Sequence, residues 1–183
     1  MPNAKIFSRK MLENIEKRVY DIYKIFHAVM TTNGIGAKSY FRQERRFIMV
    51  KLIIGLKGSG KTKTLIAKVN EAIGVSNGCV VCLEKGDKLR FDIKYQARLI
   101  DVMEYDIVDA HGLQGFVAGL HASNSDITHL FIDSALKICG NDVNGFATFV
   151  EVLNNWAEKW NVEVLLTSSI AEADLPESLK KYL

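Results

Sequence analysis

Residues 51–64 read KLIIGLKGSGKTKT, and within them Gly55-Leu56-Lys57-Gly58-Ser59-Gly60-Lys61-Thr62 satisfies the phosphate-loop pattern G-x-x-x-x-G-K-[ST] at every fixed position. An anion is cradled there by backbone N–H groups turned inward, through dihedral angles that a Cβ obstructs. Lys61 then supplies a point charge for the β- and γ-phosphates of a nucleoside triphosphate. Thr62 opens a helix with a hydroxyl able to ligate Mg²⁺. The first unpaired N–H groups of that helix and its dipole add to the attraction, and Lys63 completes the run of candidate nucleotide-binding residues.

Chance alone produces such a match in roughly one chain in two hundred of this length, so its surroundings decide. The motif needs a strand before it and a helix after it. Val50-Lys51-Leu52-Ile53-Ile54 is a short β-rich apolar run, and Leu65, Ile66, Val69 and Ile73 recur at helical spacing. The expected fold is therefore α/β: a P-loop NTPase with a mainly parallel sheet flanked by helices, a compact RecA-like (ASCE) variant being favoured.

The rest of the chain bounds this reading. Its 183 residues, 48% apolar and 25% charged, suit one domain with a full core. No run of eighteen apolar residues occurs, so no membrane-spanning helix is expected. Cys79, Cys82 and Cys139 are too few and too scattered for a disulfide framework, which fits a reducing cytoplasm. Cys79 and Cys82 form a C-x-x-C only formally. Their apolar neighbours make a strand and no second pair follows, so buried free thiols are expected rather than zinc ligands.

Charge divides the chain. Residues 1–48 carry ten Lys or Arg against four Asp or Glu, whereas residues 49–183 carry fourteen against seventeen. The basic leader includes an amphipathic stretch, with Leu12, Ile15, Val19, Ile22, Ile25 and Phe26 as its apolar positions, that would make a helical arm. It lacks the apolar centre of a secretory signal. A competing expectation is upstream sequence translated from a misassigned start, because Arg45-Arg46 is encodable as AGG-AGG a short step before Met49. Peptides covering residues 10–42 in the mass spectrum of the native protein would exclude that second reading.

Beyond the first helix the pattern continues to alternate. Residues 79–83 and 98–102 read as strands, residues 89–93 as a short edge hairpin, and residues 74–78 as a turn. Residues 109–122 read as a helix in which Gly112, Gly115 and Gly119 permit close approach of a neighbour. ITHLFID, ending at Asp133, is a strand closed by a carboxylate. Asn141 or Asp142 caps a helix whose apolar stripe runs through Phe146, Phe149, Val150, Leu153, Trp156 and Trp160. Residues 162–166 make a last strand, and Pro176 stands as first residue of a short closing helix over 177–182. Parallel strands would bring Gly55, Glu84, Asp133 and Thr167 to one rim, beyond the strands' carboxyl ends.

That rim carries the candidate chemistry. Asp133 supplies the single hard oxygen ligand that a phosphate-bound Mg²⁺ wants, facing Thr62. Hydrolysis also needs a group to orient water, and the residue after Asp133 is Ser134, not glutamate. Glu84, in VVCLEKGD, is the candidate, with Asp87 behind it. Thr167 or Ser168 is placed to sense the γ-phosphate or the water. A solvated turn glutamate and an ordinary strand-end hydroxyl are the plain alternatives. His111, His121 and His129 have no metal-ligand spacing. Lys85, Lys88, Arg90 and Lys94 form a basic cluster, but Glu84, Asp87 and Asp92 beside them weaken a nucleic-acid reading.

From Met49 onward the chain resembles a set of small ATP-binding proteins of anaerobic Gram-positive bacteria, some labelled after the twitching-motility ATPase PilT. GLKGSGKT, LEKGDKL, THLFIDSALKICG and LPESLKKYL carry the likeness. The likeness to PilT itself is confined to the P-loop and a strand-end glutamate; RecA-like ATPases place their water-positioning glutamate at the end of another core strand, as Glu84 is placed here. The resemblance implies ATP binding, and no pilus retraction is inferred from it.

The expectation is a cytoplasmic, Mg²⁺-dependent protein that binds ATP and hydrolyses it slowly, as a switch or small assembly component, with Lys61, Glu84 and Thr167 as catalytic candidates. GTP is not excluded, since only the absence of an N-K-x-D motif speaks against it. A homo-oligomer or protein partner is allowed for, with Arg90 or Arg98 offered to a neighbour's site. Two alternatives stay open: a small-molecule kinase, disfavoured because residues 49–183 hold only those two arginines, and a nucleotide-binding adaptor without catalysis.

Overall fold

The computed structural model describes residues 49–183; the leader, its amphipathic stretch and the start-site expectation lie outside them. Five strands, β1 (Val50–Ile54), β2 (Cys79–Glu84), β3 (Arg98–Asp101), β4 (Ile127–Ile132) and β5 (Glu163–Ser168), form one sheet in the order β1-β5-β4-β2-β3. Every pairing is parallel. Four α-helices accompany them: α1 (Lys61–Val75), α2 (Ala110–Ser123), α3 (Ala135–Ile138) and α4 (Val143–Trp160). The α/β expectation holds at this level. Among the described residues no helix is long and apolar enough to cross a membrane.

Strands buried on both faces need apolar residues at nearly every position, and β2 and β4 have them. Successive side chains alternate between two cores. Val81, Leu83, Leu130, Ile132, Val164 and Leu166 face α2 and α4, whereas Val80, Cys82 and Phe131 face Leu65, Val69 and Ala72 of α1. The α4 stripe buries Phe146, Phe149, Val150 and Leu153 completely. Its outer members, Trp156 and Trp160, are only half-buried, stacking on one another at 5.1 Å, with His121 stacked on Trp160 at 4.0 Å. Replacing Phe149 with alanine is expected to cost about 3–5 kcal/mol of unfolding free energy, measurable as a lowered urea midpoint with an unchanged slope.

Several local expectations are corrected. Residues 89–93 form successive turns instead of a hairpin, with Asp92 and Ile93 N–H groups donating to the Leu89 carbonyl. The Glu84 carboxylate takes the Lys88 and Leu89 N–H groups that a ladder would need, and Leu89 and Ile93 are buried against α1. Helix α1 runs through Gly74 to Val75 before it turns. Asp142, not Asn141, caps α4, accepting from the Asn144 N–H. Pro176 stands just outside the closing helix, a 3₁₀ segment at Glu177–Tyr182, and its carbonyl accepts from Leu179. The three cysteines are free thiols: Cys82 and Cys139 are buried and Cys79 is partly so.

Candidate functional site

The loop between β1 and α1 passes through Gly55, Gly58 and Gly60, all at positive φ. A Cβ on Gly55 would stand 2.6 Å from the Ser59 Oγ, whereas Gly60 has open space around it and is demanded by its φ of 83° alone. Helix α1 then starts with no side-chain cap and no acidic residue in its first turn. Lys61 and Lys63 occupy that turn instead, cations at the positive end of the dipole. This inversion of the usual preference suits an anion held on the uncapped N–H groups.

The Lys61 ammonium, nearly buried, lies back over the loop. It donates to the Gly55 carbonyl at 2.6 Å, the Leu56 carbonyl at 2.9 Å and the Ser59 Oγ at 3.2 Å. Those three acceptors match its three N–H donors. Leu56 and Lys57, at the loop's crest, are exposed.

Asp133 is the hub of the rim. Its Oδ1 accepts from the Thr62 hydroxyl at 3.1 Å and from the Thr167 hydroxyl at 2.8 Å, while its Oδ2 accepts from the Ser134 hydroxyl at 2.9 Å. Thr62 and Asp133 are 71 positions apart in the chain. The fold joins them because β5 alone separates β1 from β4. Thr167, paired in register with Ile53, therefore stands between the loop and the carboxylate. Its Oγ1 also accepts the Ser134 N–H at 2.8 Å, so the hydroxyl is both donor and acceptor and its one proton is committed to Asp133. Ser134 sits at φ 55°, a left-handed conformation costing roughly 1–2 kcal/mol for a non-glycine residue. That turn aims its N–H at Thr167 and its hydroxyl at Asp133.

Glu84 lies on β2, one strand beyond Asp133, and is 2% exposed. Its Oε2 accepts from the Lys88 N–H at 2.9 Å and the Leu89 N–H at 3.0 Å, tying down the segment that follows β2. Burial pushes its carboxyl pKa above the ordinary value of 4.5; the two N–H groups pull against this and Asp101 and Asp87 add to it. A raised folded pKa means that the native state holds the proton longer, so Glu84 contributes stability that is present at acid pH and lost as pH rises past 4.5 toward the folded pKa. Glu84→Gln, which keeps an acceptor for both N–H groups, is expected to fold and to flatten that loss. Denaturation midpoints from pH 4 to 8 check it: the gap between variant and wild type should move in the variant's favour as pH rises.

Of the other candidates, Ser168 is buried on the opposite face from Thr167, with its Oγ unpartnered among the described residues. Arg90 pairs with Asp87 at 3.5 Å. Arg98 opens β3, the far edge strand, roughly 19 Å from β1 at ordinary strand spacing, and Arg90 lies in the segment that leads to it. No cluster of three or more His, Cys, Asp or Glu side chains able to hold a metal occurs among the described residues. Two participants were not singled out in the sequence: Ser134, considered only for failing to be a glutamate, and Asp101, whose Oδ1 accepts from the Gly86 and Met103 N–H groups. A serine after a strand-end aspartate was the one available signal for the first. Comparison with known proteins finds no family model that matches the chain and no curated protein significantly similar to it.

Proposed function

We propose that this protein binds ATP with Mg²⁺ on a P-loop of the compact RecA-like type and hydrolyses it slowly, acting as a switch or a small assembly component. The observation that carries the reading is the 3.1 Å contact between the Thr62 hydroxyl of the loop and the Asp133 carboxylate. A glycine-built loop, an uncapped helix and a lysine over the loop supply the anion side of a nucleotide site; Thr62 and Asp133 supply the cation side. The proposed likeness to small PilT-labelled ATP-binding proteins includes these residues, through GLKGSGKT and THLFIDSALKICG, together with LEKGDKL and LPESLKKYL.

The donor set fits Mg²⁺. That ion keeps several waters and takes one or two carboxylates together with phosphate oxygens, and here one carboxylate and one hydroxyl meet beside the phosphate loop. When bound, Mg²⁺ neutralises charge on the β- and γ-phosphates. Lys61 is the chain's own counter-charge to those phosphates, exchanging its three loop acceptors for phosphate oxygens. Thr167 and Ser134 hold the Asp133 carboxylate in one orientation, and Thr167 has no free donor for water while it does so.

A second reading, a nucleotide-binding adaptor with little catalysis, draws support from Glu84. An acid whose Oε2 already accepts two backbone N–H groups has less capacity left to orient water. Titrating the full chain with ATP and GTP, with and without Mg²⁺, while following phosphate release in the same samples tests both. Tight binding with steady release supports the ATPase, tight binding without release supports the adaptor, and release that needs an added hydroxylic acceptor supports a kinase. Absence of any binding by folded protein overturns the whole assignment.

A further inference from the structure

Strand β3 ends the sheet on one side and, among the described residues, pairs along one edge only, with β2. Its other edge presents N–H and C=O groups to which a further strand can bond. Neither a proline nor a bulge, two of the devices that blunt such an edge, occurs in residues 98–101. Lys94, Tyr95, Arg98, Asp101, Glu104 and Tyr105 all border it.

Exposed apolar surface gathers on the same side. Of the eight large hydrophobic side chains exposed among the described residues, five, Phe91, Tyr95, Met103, Tyr105 and Val108, belong to the segments that enter and leave β3. Phe91 is 95% exposed and Tyr95 93%. Such residues are unremarkable singly, but gathered together they mark a contact surface, where aromatic residues and Met are enriched. Helix α2 adds to it. His121 stacks on Trp160 of α4, whereas Phe116, five residues earlier and so about 140° around the helix, meets Tyr105 just past β3. On that second flank an apolar groove of about 380 Å³ runs between Ile107, Phe116 and the open faces of Gly115 and Gly119.

Charge is sorted along the edge. Lys94 and Arg98 stand at the amino start of β3, Asp101 and Glu104 at its carboxyl end, and none of the four has an ion-pair partner among the described residues. The nearby Glu84 is nearly buried on backbone N–H groups, and Asp87 pairs with Arg90. A second β3 laid parallel would set like charge beside like. Laid antiparallel, it sets the cationic end of each copy against the acidic end of the other, twice over by symmetry.

We infer that the open edge of β3 pairs antiparallel with β3 of a second copy, about a twofold axis normal to the sheet, joining two five-stranded sheets into one. A four-residue ladder alone falls short of the roughly 800 Å² that a stable interface buries per partner, so the exposed aromatic residues and the α2 flank supply most of the area. An axis normal to the sheet keeps each face on its own side, which places both α2 grooves on one side of the join. The phosphate loops lie at the two outer ends of the joined sheet, beside β1. Pairing is therefore independent of what the loops bind and delivers no arginine to a neighbour's loop.

The experiment is sedimentation equilibrium of the full chain from micromolar to millimolar concentration, for wild type, Arg98→Glu, Glu104→Arg and an equimolar mixture of the two variants. Wild type is expected to reach twice the chain mass of 20.5 kDa and no more, with amide exchange at residues 98–101 slowing as the dimer forms. Each variant sets like charges together at both ends of the join, which predicts a dissociation constant raised about tenfold or more. The mixture restores opposite charges at both ends and is expected to dimerise as wild type does. Circular dichroism establishes that each variant is folded. Wild type that stays monomeric at millimolar concentration overturns the inference, whether its amides at 98–101 exchange freely or are already protected within one chain. So does assembly beyond two copies, folded variants that dimerise as tightly as wild type, or a mixture that dimerises no better than its components.

Discussion

Lys61→Ala is expected to lose ATP binding by about a hundredfold or more while the chain stays folded. Lys61 carries the only buried ammonium described, and its three N–H donors are held over the loop by two carbonyls and one hydroxyl. Each charge-assisted bond transferred to phosphate is worth roughly 1.5–3 kcal/mol, so losing the group removes one to several such bonds at once. Its removal leaves the Gly55 and Leu56 carbonyls at the rim of a loop whose crest is exposed, where water replaces the ammonium; the cost in unfolding free energy should therefore be small beside the loss in affinity. Calorimetric titration of ATP with Mg²⁺, alongside thermal unfolding, separates the two. Unchanged ATP affinity in a folded variant would remove the loop from the nucleotide site altogether.

Asp133→Asn is expected to keep the fold and lower Mg²⁺-dependent phosphate release by about a hundredfold, the scale seen when one preorganised electrostatic contact to a reacting centre is removed. Asparagine preserves a carbonyl acceptor for Thr62 and Thr167 but removes the charge and turns one oxygen into a donor. That new NH₂ would meet the Ser134 hydroxyl, which accepts as readily as it donates. The substitution thus isolates the negative charge from the hydrogen-bond scaffold. Binding of ATP without Mg²⁺ should change little, and the enhancement that Mg²⁺ confers should vanish. If release were unaffected, the Thr62–Asp133 contact would be a strand-end brace and nothing more.

Much of the architecture was legible locally. The β1–loop–α1 unit follows from a motif whose fixed residues each answer a separate geometric demand. The α4 stripe and the runs of β2, β4 and β5 follow from apolar periodicity and length. The hairpin at residues 89–93 was misread because its apolar residues, Leu89 and Ile93, are four apart and pack on α1 as turn residues. The signal that would have separated the two lies in Glu84, whose carboxylate captures the N–H groups of Lys88 and Leu89. Capture of that kind is a side chain to backbone choice which composition does not express. Ser134 was overlooked for a related reason: its part depends on a left-handed backbone conformation that the residue type disfavours.

From the amino-acid order alone came the glycine-rich loop between β1 and α1, the alternation of strands and helices, and the identity of the residues at each strand end, because these depend on spacing within one element. The strand order β1-β5-β4-β2-β3 came only from the tertiary structure. Parallel strands buried on both faces are uniformly apolar, so nothing in their pattern says which pairs with which; the pairing is settled by how the crossing helices cover the two faces. That order decided that Thr167 stands beside Asp133, that Thr62 reaches it, and that Glu84 ends the strand on the far side of Asp133 from the loop.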